Sequence, residues 1–71
     1  MINRSANELT GIVKAGGSIE VDGTSLSAIA LKGIAAELHP GTYMKIYNTE
    51  GKTPLELASI AKVKPGQVIF A

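Results

Sequence analysis

Cysteine and tryptophan are absent from this chain of 71 residues, and histidine occurs once. Without cysteine no disulfide can form, and one histidine does not supply the ligands of an ordinary structural zinc site, so no cofactor is expected. A chain of this length buries only about 60% of its unfolded surface, which leaves a marginal core unless something supplements it. We therefore expect self-association into a homo-oligomer, with a homodimer as the simplest case.

The chain also has almost no excess of positive over negative charge. The net charge is +1, and the seven basic residues are scattered along the chain. Nucleic acids and anionic lipids require concentrated positive charge, so we expect neither as a partner. No apolar run approaches the ~18 residues of a membrane span, and residues 1–4 lack the features of a signal peptide. These absences predict a cytoplasmic protein.

The composition that remains is typical of one small globular domain spanning residues 1–71. Hydrophobic residues make up 45% of the chain and charged residues 18%, whereas disordered chains are far more polar. Helical and strand patterns alternate along the sequence. They predict an α/β two-layer sandwich, in which a sheet of three or four strands carries three helices on one face.

Three segments have the start signals and apolar spacing of helices. Ser5 precedes Glu8 by three residues, the arrangement of a capping box, and Thr53 and Glu56 repeat it. Between these two starts lies a segment that is apolar around most of a helix. The predicted helices cover residues 6–15, 28–38 and 54–62.

Strands are predicted at residues 18–21 and 43–47, where polar and apolar residues alternate, and at residues 67–71. The last segment is apolar on both faces and would need cover on both sides. After the first, Asp22-Gly23 favours a tight hairpin that leads into a fourth strand over residues 24–27. In the alternative, Thr24 or Ser25 caps the next helix directly, and the connection is a strand-to-helix crossover.

The first and third predicted helices are similar in sequence. The series Glu8, Leu9, Ile12 and Lys14 recurs as Glu56, Leu57, Ile60 and Lys62. Duplicated helix–strand units would explain this similarity, and so would convergence of two capped helices on one sheet. We favour convergence, because true repeat arrays normally contain three or more copies.

Gly51, Lys52 and Thr53 open the third predicted helix in the manner of a phosphate-binding loop. The first glycine of that motif would stand at position 46, which is Ile46, so nucleotide hydrolysis is not expected. Lys52 and Thr53 could still form a weaker anion site with the free amides of the helix start. Alternatively, Thr53 only caps the helix and Lys52 is solvated.

His39 follows the second predicted helix, where a cation interacts favourably with unpaired carbonyls. Catalysis by an imidazole would also need a nucleophile and an orienting carboxylate, and no spacing in the sequence indicates either. The six carboxylates form no recognisable acid–base pair. We therefore expect no catalytic residues, no metal site and no enzymatic activity.

An aromatic surface is the clearest candidate site. If the helices cover Met44 and Ile46, then Tyr43, Lys45 and Tyr47 lie together on the opposite face of the sheet. Either Val68 and Phe70 or Ile69 would join them there. Exposed aromatic side chains are enriched at protein interfaces, so we predict an interaction surface. Alternatively, these are ordinary surface residues, with Glu20 and Lys45 pairing across strands.

The order of elements resembles the HPr phosphocarrier family. The resemblance lies in element spacing, with a capped helix, a strand, the Asp22-Gly23 turn and a second helix in that family's order. In that family a histidine at the first helix accepts phosphate, whereas this chain has Asn3, Arg4 and Ser5 there. The position of the family's regulatory serine corresponds to Ala30. The resemblance therefore implies the fold of that family without its phosphate transfer. In such a rearranged relative, residues 68–71 would replace the missing first strand.

Together these patterns predict a non-enzymatic protein-interaction module that self-associates through the aromatic sheet face or an edge strand. One alternative is a degenerate phosphocarrier-like regulator that binds a phosphorylated partner or a small anion at Lys52 and Thr53. Another is an enzyme subunit whose catalytic groups come from a second chain.

Overall fold

The computed structural model describes residues 5–71 as three helices alternating with three strands. Each helix begins one residue after a hydroxyl side chain, and each strand follows a helix, with the longest connection at residues 36–43. The elements are α1 (Ala6–Lys14), β1 (Ile19–Asp22), α2 (Ala28–Ala35), β2 (Met44–Tyr47), α3 (Pro54–Val63) and β3 (Val68–Phe70).

Local hydrogen bonds explain where the helices begin. The Ser5 hydroxyl accepts from the Glu8 amide at 3.2 Å, and the Glu8 carboxylate accepts from the Ser5 amide at 3.0 Å. Thr53 and Glu56 form the same capping box at 3.2 and 2.8 Å. Both predicted capping boxes are confirmed. At α2 the hydroxyl of Ser27 accepts from an amide three residues on, so all three helix starts have a side-chain cap.

The three strands form one parallel sheet in the order β1-β2-β3. The helices lie on one face of this sheet, so the predicted α/β two-layer architecture is confirmed. Parallel neighbours need a crossover connection, and α2 and α3 provide the two that this sheet requires. Gly16 and Gly66 have positive φ values of 96° and 83° in the turns between a helix and its strand, a conformation that glycine adopts without steric cost.

The favoured hairpin at Asp22-Gly23 is wrong. Residues 24–27 form a turn, and the cap of α2 is Ser27, so the crossover alternative holds but its predicted caps at Thr24 and Ser25 do not. The Asp22 carboxylate accepts from the Thr24 amide at 2.9 Å and from its hydroxyl at 2.8 Å. This closed Asx-turn redirects the chain towards the helix layer. The same bonds, with a third from Asn48, lower the pKa of Asp22.

Three similar α–β units build the domain. Unit 1 comprises residues 5–23, unit 2 residues 27–47 and unit 3 residues 53–71; each runs from a capping residue through a helix to a strand. The strands start about 25 residues apart, within the range of solenoid repeats. Unit 2 has the same order of cap, helix and strand as units 1 and 3, although Ala30 stands where those units have glutamate. Convergence in place of duplication stays a prediction.

The core lies between the helices and the sheet. Its buried side chains are Leu9, Val13, Ile19, Val21, Leu31, Ile34, Ala35, Leu38, Met44, Ile46 and Ile60. The second helix is shorter than predicted, because Glu37 and Leu38 donate to carbonyls only three residues earlier and close a tighter turn. Leu38 nevertheless stays buried. The apolar pattern of residues 28–38 therefore extends three residues beyond the end of α2.

Candidate functional site

Tyr43, Lys45 and Tyr47 lie on the sheet face that the helices leave uncovered, as predicted. Met44 and Ile46 point into the core with no exposed area, whereas Tyr43 is 41% exposed. The register aligns Glu20 with Lys45 and Lys45 with Ile69, and these three side chains also point away from the core. We call this surface, formed by Glu20, Tyr43, Lys45, Tyr47 and Ile69, the open face.

Polar groups on the open face already have partners within the chain. The Tyr47 hydroxyl donates to the Glu20 carboxylate at 2.9 Å, which connects β2 to β1. The Lys45 ammonium lies 5.4 Å from the centroid of the Tyr47 ring, within the range of a cation–π contact. Tyr47 is thereby held by two neighbours. Its environment is that of an ordered cross-strand cluster, in accord with the simpler interpretation of this face.

Val68 and Phe70 do not lie on the open face. They are the register partners of Met44 and Ile46, and they pack against the core on the helix-covered side. Their predicted place beside the tyrosines is wrong, because parallel pairing puts β3 in the phase that buries the even-numbered positions. The alternative is correct, since Ile69 lies on the open face and is 43% exposed. β3 was predicted to need cover on both faces. In the structure the core covers the side of Val68 and Phe70, and the side of Ile69 is open.

β3 is also an edge strand with a free backbone side. The Gln67 carbonyl accepts from Met44 at 2.8 Å, and the Ala71 amide donates to Ile46 at 2.9 Å. Backbone groups of alternate residues point to opposite sides of a strand, so the amides and carbonyls of Val68 and Phe70 point away from β2. A row of such groups is a template for pairing with another strand.

The apolar positions of unit 3 are only partly covered. Four equivalent positions along the units show this. In unit 1 they hold Leu9, Val13, Ile19 and Val21, all at most 2% exposed. In unit 2 they hold Leu31, Ala35, Met44 and Ile46, again all buried. In unit 3 they hold Leu57, Ala61, Val68 and Phe70, and none of these is buried. Local sequence patterns do not reveal this feature, because recognising it requires all three units to be aligned.

The residues of the predicted anion site, Lys52 and Thr53, are both engaged within the chain. The Lys52 ammonium donates to the Leu26 carbonyl at 3.0 Å and so ties the start of α3 to the turn before α2. The Thr53 hydroxyl and the Glu56 carboxylate take part in the capping box. A carboxylate therefore stands at the helix start, where an anion would otherwise bind.

His39 acts in the structure through its backbone. Its carbonyl accepts from the Thr42 amide, the Thr42 hydroxyl and the Gln67 side-chain amide, at 3.1, 2.7 and 2.7 Å. These bonds attach the turn after α2 to the start of β3. Within residues 5–71 no group of three histidine, aspartate or glutamate side chains is placed to hold a metal ion.

One shallow groove, of about 280 Å³, lies on the helix layer and is lined by Lys32, Ser59, Lys62 and Val63. It holds neither a carboxylate nor an imidazole, so its lining offers no acid–base pair. Among residues 5–71, no helix has the length and hydropathy to cross a membrane. Comparison of the chain with protein-family models, curated proteins and solved structures finds no match.

Proposed function

We propose that this chain is a non-enzymatic protein-interaction module that self-associates through its edge strand β3. The observation that carries the proposal is the incomplete cover of unit 3. Val68 and Phe70 occupy core positions and yet keep exposed area, while Ile69 is 43% exposed on the other face of the same strand.

Two forces favour a partner at this edge. Apolar area removed from water contributes roughly 25 cal/mol per Å², and β3 presents apolar side chains on both of its faces. The free amides and carbonyls of Val68 and Phe70 would gain backbone hydrogen bonds that give the contact direction. The edge strand is favoured over the aromatic face, because Tyr47 is already bonded to Glu20 and contacted by Lys45.

Sedimentation velocity of the unmodified chain between about 5 and 200 μM tests the proposal, because it covers the micromolar range expected of a small interface. We expect a reversible, concentration-dependent rise in mean mass. Ile69→Lys places a charge on the exposed side of β3 and should weaken association at least about tenfold. The side chain is partly exposed in the isolated subunit, so the fold should tolerate this change.

The matched control is Ile29→Lys, which makes the same substitution on α2 at a side chain 82% exposed. It should associate as the unmodified chain does. Tyr43→Ser, on the open face, tests the competing surface and should also leave association unchanged. A chain that stays monomeric throughout this range contradicts the proposal, as does equal behaviour of the two lysine variants.

A further inference from the structure

We infer that the partner of β3 is the β3 strand of a second copy, paired antiparallel across a two-fold axis that passes beside Ile69. This inference rests on the proposed function and gives it a geometry. It predicts a continuous six-stranded sheet, built from the three strands of each copy.

The backbone of β3 fits this pairing. Val68 and Phe70 are the residues whose amides and carbonyls face the free edge, and Ile69 lies midway between them. Antiparallel pairing centred on Ile69 places Val68 of one copy opposite Phe70 of the other. Each such pair exchanges two hydrogen bonds, so the symmetric contact gains four. Three residues are enough to form it.

The side chains on both faces fit as well. Ile69 of the two copies would form the central non-hydrogen-bonded pair, with Cα atoms about 4.5 Å apart, where side chains come closest. On the covered face each Val68 would meet the Phe70 of the other copy, a β-branched and aromatic pair of the stabilising kind. Residues 65–71 carry no charged side chain, so two identical strands can approach without repulsion.

The opposite end of the domain argues against head-to-tail stacking. In the described part of unit 1, the four core positions that remain open in unit 3 are at most 2% exposed, so these positions offer little apolar area. Ile19 and Gly23 donate their amides to carbonyls on the β2 side. The amides of Glu20 and Asp22 therefore point to the other edge of β1. Charged residues protect an edge from pairing. The β3 edges of two copies therefore cover each other, and the assembly is a closed dimer.

Cysteine cross-linking tests the geometry, and the natural chain contributes no background thiol. Ile69→Cys places two thiols at the proposed axis, at a Cα separation that suits a disulfide. Under mild oxidation at a concentration where the unmodified chain associates, we expect covalent dimer to form at least about tenfold faster than in Ile29→Cys. Pairing raises the effective concentration of the second thiol, whereas Ile29 lies on the helix layer.

A mixture of Ile69→Cys and Glu20→Cys separates the two arrangements. Symmetric pairing should give Ile69→Cys homodimers, whereas head-to-tail stacking would align β3 with β1 and give mixed dimers. The unmodified chain provides a measurement that needs no substitution. As concentration rises, amide hydrogen exchange should slow at Val68 and Phe70 but not at Glu20 and Asp22.

The outcomes separate this inference from the proposed function. If the unmodified chain associates but Ile69→Cys cross-links no faster than Ile29→Cys, the two-fold geometry is wrong while self-association stands. Predominant mixed dimers, or slowed exchange at Glu20 and Asp22, would also overturn the geometry. A strictly monomeric chain removes both.

Discussion

At the scale of single residues, Gly23 marks a close approach between the end of β1 and the end of β2. A Cβ atom at this position would lie 2.8 Å from the Tyr47 carbonyl oxygen and 3.2 Å from that of Asn48. Both contacts are with backbone, which cannot move aside as a flexible side chain would. The turn chemistry of Asp22-Gly23 was visible in the sequence, but the reason for the glycine was not. The second strand that crowds it lies more than twenty residues away.

Gly23→Ala should therefore destabilise the fold by about 1–3 kcal/mol, the usual cost of forcing extra atoms into a packed site. The matched control is Gly33→Ala in α2, where a Cβ atom would meet nothing within 4 Å. That change should stabilise the chain by about 0.5–1 kcal/mol, because alanine favours the helix interior. Urea unfolding followed by circular dichroism measures both. Equal effects of the two substitutions would show that backbone contact at Gly23 is not the cause.

At the scale of helices and strands, most elements could be predicted from local signals. Hydroxyl caps followed by glutamate located α1 and α3, alternation located β1 and β2, and a short apolar run after a turn located β3. What local signals could not give was strand direction. Asp22-Gly23 has the chemistry of a hairpin, but a parallel sheet results because the chain passes through α2 before β2 begins. Local signals also did not show which side chains of β3 point towards the helices. The pairing of β3 with β2 places Ile69 on the open face.

The three helix starts differ in one respect that can be tested. Ser27 caps α2 but lacks the carboxylate that completes the capping boxes at Ser5 and Thr53, since Ala30 stands at that position. Ala30→Glu should supply it and stabilise the chain by about 0.5 kcal/mol, through a bond to the Ser27 amide and a favourable charge at the helix start. Denaturant unfolding at pH 7 measures the gain.

Ala30→Lys is the control for that substitution, because it has a similar length and the opposite charge. It should lose stability at the same position. A gain with lysine equal to the gain with glutamate would show that the added carboxylate is not the cause.

At the scale of the whole molecule, the three units differ in how completely their core positions are buried. Units 1 and 2 bury all four shared core positions, whereas unit 3 buries none of these four, although its Ile60 lies in the core. This difference could not be predicted from any single unit, because Val68 resembles Ile19 and Met44 in chemistry. Whether such a position is buried depends on whether another unit follows it. The candidate site was therefore predicted only in part, as an edge strand that needed cover.

Hydrogen exchange at a concentration too low for association should reveal the inequality. The amides of Ile69 and Ala71, which face β2, should exchange faster than the β1 amides of Ile19 and Gly23, which also donate to the β2 side. Local opening needs less free energy where fewer apolar contacts must break. Exchange measured by NMR under native conditions gives both rates. Uniform protection along the sheet would contradict this expectation.

The parallel stacking of units also bears on how the molecule could vary in size. Each unit offers its successor a helix flank and a strand edge, and unit 2 receives unit 1 and presents itself to unit 3 in the same manner. A duplicated middle segment could therefore be inserted without redesigning either terminus. Width would grow by one strand spacing, about 4.8 Å, while the terminal strands kept their own character. Length in this architecture is set by the number of units, and the edge that we propose for self-association would move with the last unit.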